Sequence, residues 1–141
     1  MKRKGSIATL LTAVALLWAC AGTPGPGDGG YPFNLGGTYE GQVVVEGQPF
    51  GVEMDIRTLA GGALEGEYRV TSPVEMAGPV TGTLAADSVS FTLNYRNPMD
   101  GCDGVLDGSG TVTDGGAEFS GTARVDDSCG GYLGGTFSFK R

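Results

Sequence analysis

The sequence predicts an all-β fold: eight strands in an up-and-down antiparallel meander, closed into a small soluble barrel. Three observations predict it. After residue 35 no window carries the i, i+3, i+4, i+7 spacing of a helix, whereas apolar and polar residues alternate with period two again and again. Clusters of Gly, Pro, Asp and Asn cut this region into eight segments of strand length. Folding neighbouring segments into hairpins puts their apolar residues on one shared face, and closing the sheet removes its exposed edges. A β-sandwich is the runner-up architecture.

The segments span about 38–46, 49–59, 63–71, 75–85, 88–96, 103–113, 117–126 and 132–140. Between the first two lies Glu46-Gly47-Gln48-Pro49, and the expected register places Val45 opposite Phe50, Val43 opposite Val52, Gly41 opposite Met54 and Tyr39 opposite Ile56. Ala60-Gly61-Gly62 turns the second into the third, setting Ile56 against Gly66, Met54 against Tyr68 and Val52 against Val70. On the polar side Arg57 then meets Glu65 and Glu53 meets Arg69, both favourable, while Asp55 meets Glu67, which is not. Ser72-Pro73 leads into the fourth segment. Ala86-Asp87 joins the fourth to the fifth, with Leu84 facing Val89, Gly82 facing Phe91 and Val80 facing Leu93. After Asn97 to Gly101, the sixth and seventh segments meet around Gly115-Gly116, a pair suited to a two-residue type I′ turn. That turn sets Val112 opposite Phe119, Gly110 opposite Gly121, Gly108 opposite Ala123 and Leu106 opposite Val125. The last segment adds Leu133, Gly135, Phe137 and Phe139 to the same face. Glycines recur on this face, and strong strand coiling with room for large neighbours explains them better than a space held open for a ligand.

The amino terminus is of another kind. Met1-Lys2-Arg3-Lys4 is basic, and the stretch from Ile7 to Ala19 is apolar apart from two threonines, the length of a signal-peptide core and too short to span a bilayer. Leu17-Trp18-Ala19-Cys20 follows and resembles the lipobox of bacterial lipoproteins. The resemblance implies cleavage before Cys20, a thioether-linked diacylglycerol on its sulfur and a further acyl chain such as palmitate on the new amino group. Two or more chains anchor a protein stably where one does not. Residue 21 is Ala and not Asp, and the resemblance therefore implies the outer membrane, facing the periplasm or the surface. The expected organisation is therefore a signal peptide at 1–19, a lipidated cysteine and flexible Pro/Gly-rich tether at 20–36, and a barrel at 37–141.

In that oxidising compartment the remaining cysteines, Cys102 and Cys129, are expected to form a disulfide. Extending the Gly115-Gly116 hairpin brings the two opposite each other, an independent geometric reason for the bridge.

Charge and composition exclude much else. The nine Lys and Arg lose Lys2, Arg3 and Lys4 with the signal, leaving six against 16 Asp and Glu, a net charge of −10. Such a surface argues against nucleic acid as a partner. The chain has no histidine, no cysteine beyond the lipidated Cys20 and the Cys102–Cys129 pair, and no phosphate-binding loop, so no enzyme activity, cofactor or His-ligated metal is expected. Asp100, Asp103, Asp126 and Asp127 flank the bridged cysteines and form a weak candidate for Ca²⁺, outweighed by their role as turn formers.

Leu35-Gly36-Gly37-Thr38-Tyr39, followed by Gly62-Ala63-Leu64-Glu65-Gly66-Glu67-Tyr68, resembles the opening strands of avidin-like and lipocalin-like (calycin) barrels. The resemblance implies a ligand-binding barrel but not biotin binding, since avidins line that site with tryptophans and the one tryptophan here, Trp18, leaves with the signal. The functional expectation is a membrane-anchored barrel binding a small apolar ligand or an envelope partner. Tyr39, Met54, Tyr68, Phe91, Tyr95 and Phe137 are the candidates for lining such a ligand, because aromatic and Met side chains dominate apolar pockets. The alternatives are a structural or interaction protein with a filled core and, further off, an outer-membrane barrel turned apolar side out.

Overall fold

The computed structural model describes residues 22–141; the expected signal peptide and Cys20 lie outside the described residues. Eight strands follow one another: β1 (Gly36–Val45), β2 (Gln48–Thr58), β3 (Ala63–Ser72), β4 (Met76–Ala85), β5 (Ser88–Arg96), β6 (Asp103–Val112), β7 (Glu118–Asp127) and β8 (Gly131–Lys140). Each pairs antiparallel with the next, and β8 returns to β1 with Val43 opposite Phe137 and Gly41 opposite Phe139. The sheet is a closed barrel. The sandwich is thereby overturned: a sandwich would leave edges that this ring does not have.

Register follows the hydrophobic pattern. Ile56 faces Gly66, Val80 faces Leu93, and Val112, Gly110, Gly108 and Leu106 face Phe119, Gly121, Ala123 and Val125, as the alternation requires. Two turns differ from expectation. In the first hairpin Glu46 and Gly47 both adopt positive φ (48° and 80°) and make a two-residue turn alone, leaving Gln48 and Pro49 to β2. The pairing moves by two residues, to Val43–Phe50, Gly41–Val52 and Tyr39–Met54. An even shift keeps every side chain on its face, so the pattern could not discriminate between the two registers. Between β6 and β7 the connection is five residues, Thr113 to Ala117, and not a two-residue turn. Gly115 and Gly116 still have positive φ, and the pairing of the two strands is unchanged.

The inward face carries Tyr39, Met54, Ile56, Leu64, Val80, Leu84, Val89, Phe91, Phe119 and Phe139, each 3 % exposed or less. Burying a side chain of this size contributes about 1.5–3 kcal/mol. No polar or charged residue joins this core among the described residues. Outward positions carry the charges, including the pairs Arg57–Glu65 and Arg69–Glu53. This contradicts the alternative of an outer-membrane barrel turned apolar side out: a lipid-facing wall cannot carry ion pairs along its strands, and here the apolar side is enclosed.

One end of the barrel is closed. Residues 25–35, expected to be flexible tether, form a strap beneath the connections β2–β3, β4–β5 and β6–β7. Gly61 donates its backbone N–H to Pro26 O (3.1 Å), Gly115 to Pro32 O (2.7 Å), and the Tyr31 hydroxyl to Ala86 O (2.9 Å). Asn34 holds the strap's own turn, accepting from Gly27 N at Oδ1 (2.8 Å) and donating through Nδ2 to Asp28 O (2.7 Å). Leu35 is 1 % exposed, and Tyr31 and Phe33 pack against the core. Tyr31-Pro32-Phe33-Asn34-Leu35 has the strand-like alternation of apolar residues that the surrounding glycines mask. Above the strap, the Tyr39 hydroxyl donates to Gly116 O (2.7 Å) and accepts from Gly36 N (3.1 Å).

Candidate functional site

The two halves of the interior are filled differently. Toward the strap, the rings of Tyr39, Phe91, Phe119, Phe137 and Phe139 pack edge-on or stacked, with centroids 5.0–6.3 Å apart. Glycine makes room for them: a Cβ at Gly108 would lie 2.3 Å from Phe91 Cζ. Toward the opposite end most inward positions are valine and leucine, joined by Phe50 and Met76, and space remains.

That space is a cavity of about 160 Å³. Val43 and Val45 of β1, Phe50 and Val52 of β2, and Val70 of β3 form one wall. Met76, Leu93, Leu106, Val125 and Leu133, from β4 to β8, form the other. Polar atoms enter at the rim through Tyr68, Tyr95, Asn97 and Asp127. The Tyr68 hydroxyl donates to Asn94 O (2.5 Å), and burial holds its pKa above the ordinary tyrosine range. The Tyr95 hydroxyl donates to Asp127 Oδ2, while Asp127 Oδ1 accepts from Cys129 N and Gly130 N, both at 2.8 Å. These bonds, the tyrosine's first, hold the Asp127 carboxyl below its ordinary value, and burial with the facing carboxylate pushes Tyr95 upward. At neutral pH the rim thus carries an anionic Asp127 and two neutral phenols.

The Cys102–Cys129 disulfide ties the β5–β6 connection to the β7–β8 connection beside this rim, with Cα atoms 5.8 Å apart. The expected pairing is present. Its sulfurs lie close to Asp127, but bridged sulfurs are not thiolates and offer no metal-ligand pair. The four aspartates weighed for Ca²⁺ do not converge among the described residues. Asp100 Oδ1 accepts from Cys102 N (2.9 Å) and its Oδ2 from Asn97 Nδ2 (3.2 Å), Asp127 is occupied as above, and Asp103 lies 3.9 Å from Arg96 Nε.

No protein-family model and no curated protein matches this chain. One solved structure does: a redesigned β-barrel, mFAP1, bound to DFHBI, with a TM-score of 0.53 at 20 % identity, covering 76 % of this chain and 94 % of that one. The likeness is one of fold.

Of the six residues expected to line a ligand, Tyr68 and Tyr95 border the cavity. Tyr39, Met54, Phe91 and Phe137 lie in the packed interior, 0–3 % exposed and away from the open end. Size misled: the bulkiest inward side chains fill the barrel, and the vacant half belongs to smaller ones. Val43, Val70, Met76, Leu93 and Leu106 were missed, and Asp127 was singled out for Ca²⁺ and not for this cavity. Their signal was positional, since each is an inward residue on the side of the β1–β2, β3–β4, β5–β6 and β7–β8 turns.

Proposed function

We propose that this chain is a lipid-anchored protein of the cell envelope whose calycin-like barrel takes the apolar part of a small ligand into its open half. The observation that carries the reading is the cavity of about 160 Å³ walled by valine, leucine, Met76 and Phe50 at one end of an otherwise filled barrel. An apolar cavity of about 150 Å³ stays dry and accepts benzene. A ring of that size, or a chain segment of equal volume, fits inside, and the rest of a larger ligand projects through the mouth. Asp127 is the charged group at the rim and, among the described residues, no Lys or Arg lines the cavity, so an anionic head is disfavoured and a neutral or cationic one accommodated. The lipobox supports anchoring at Cys20, and Ala21 supports the outer membrane. The absence of histidine from the sequence supports binding over catalysis.

A second reading, docking of an envelope protein, has one observation in its favour. Met99 and Tyr132 are 80 % and 71 % exposed, far beyond the other large apolar residues.

Native mass spectrometry of full-length protein extracted from the envelope tests the leading reading. It expects a bound species of reproducible mass, under about 1 kDa and released on denaturation, in keeping with so small a cavity. Protein that is empty in every preparation contradicts it, and a protein-sized adduct favours the second reading.

A further inference from the structure

We propose that the strapped end of the barrel rests against the bilayer and the cavity mouth opens away from it, so that ligand enters from the aqueous phase. The inference rests on the lipid-anchored reading of Cys20. Its own basis is where the chain enters the fold. The backbone is fixed from Gly25 onward: Gly25 N donates to Asp28 Oδ2 (2.8 Å), Asp28 N donates to Gly25 O (2.9 Å), and Pro26 O accepts from Gly61 N in the β2–β3 connection. Gly25 is therefore held at the closed end. Between Cys20 and Gly25 stand four residues, Ala21-Gly22-Thr23-Pro24.

Lengths then decide the orientation. Five Cα–Cα steps reach about 18 Å at full extension. A ten-residue strand rises about 33 Å, and with the usual barrel tilt it gives a wall about 25 Å high. Turning the mouth to the bilayer would lift Gly25 by that full height, beyond the reach of the tether. The strap turns what looked like a long leash into a short one.

Charge separates the remaining poses, upright and lying on a side. Glu46, Glu75, Asp100, Asp103, Asp126 and Asp127 surround the mouth, with Arg96 as the cation among them. The closed end has Lys140 and Arg141 to set against Asp28, Asp87, Asp114 and Glu118, a smaller acidic excess than the mouth's. An anionic bilayer repels the mouth over a Debye length of about 8–10 Å and so favours the upright pose.

The test uses full-length lipidated protein in vesicles of phosphatidylethanolamine and phosphatidylglycerol. A fluorophore is placed on Asp87→Cys at the closed end or on Met99→Cys at the mouth, both on exposed side chains, and quenched by a lipid with a nitroxide headgroup. The expected result is several-fold stronger quenching at position 87 than at 99. Inserting a ten-residue Gly/Ser segment between Pro24 and Gly25 should narrow that difference. Equal or stronger quenching at 99 in protein that floats with the vesicles overturns the orientation and leaves the anchor standing. Protein that fails to float, with an intact mass showing no acyl chains and no change on Cys20→Ser, overturns the anchor and the orientation with it.

Discussion

Gly110 and Gly121 face each other across β6 and β7, and neither has positive φ; what requires glycine there is proximity. A Cβ at Gly121 would lie 2.1 Å from Ser109 O and 2.5 Å from Gly110 Cα. Gly121→Ala should lower stability by about 1–3 kcal/mol, the range for forcing extra atoms into a packed interior. Gly29→Ala, with nothing within 4 Å of the added carbon, should stay within about 0.5 kcal/mol. Paired denaturant melts check both, and equal effects would refute the close-approach reading. At the rim, Asp127 is held below the ordinary carboxyl value of 3.8 by the Tyr95 hydroxyl and by Gly130 N. A depressed native value stabilises the fold above the unfolded-state pKa, and that contribution disappears as pH falls through the native one. Tyr95→Phe should therefore raise the Asp127 carboxyl toward its ordinary value and shrink the acid-side loss of stability. Carbon-detected NMR titration of Asp127 reads the shift directly, and an unmoved titration would mean that the tyrosine is a bystander.

At the scale of elements, strand positions were legible because one enclosed face imposes a period of two on every segment. The disulfide was legible because continuing the β6–β7 pairing carries Cys102 to Cys129. The first hairpin's register was not. Glu46-Gly47 and a longer turn through Pro49 preserve the same faces, and only the positive φ of Glu46, a residue that does not advertise it, selects the shorter. The strap was hidden by composition: glycine and proline around it read as linker, and its ordering comes from contacts with three turns distant in sequence. The bridge between Cys102 and Cys129, 27 residues apart, should stabilise the domain by about 3–4 kcal/mol in the chain-entropy account. The double variant Cys102→Ser/Cys129→Ser should lose that much in a reversible melt and retain its β-sheet circular dichroism. A loss below about 1 kcal/mol would show that the β6–β7 ladder alone holds the mouth, as a typical surface change does.

Across the whole molecule, the site follows from an uneven filling of one barrel. The closed half has five packed aromatic rings and a strap across its base; the open half has valine, leucine and methionine around a void, with a carboxylate and two phenols at its rim. The sequence announced the barrel but not the void. Alternation reports which side chains point inward, whereas the space between them depends on how far each reaches across the ring. An uneven filling of this kind leaves the open half free to receive an apolar guest. Methyl-resolved NMR of the folded domain during titration with benzene tests it most directly. Saturable shifts at Val70, Met76, Leu93 and Leu106, with Leu35, Val89 and Val112 unmoved, are the predicted result; no saturable shift at the first group, or equal shifts in both, would contradict it.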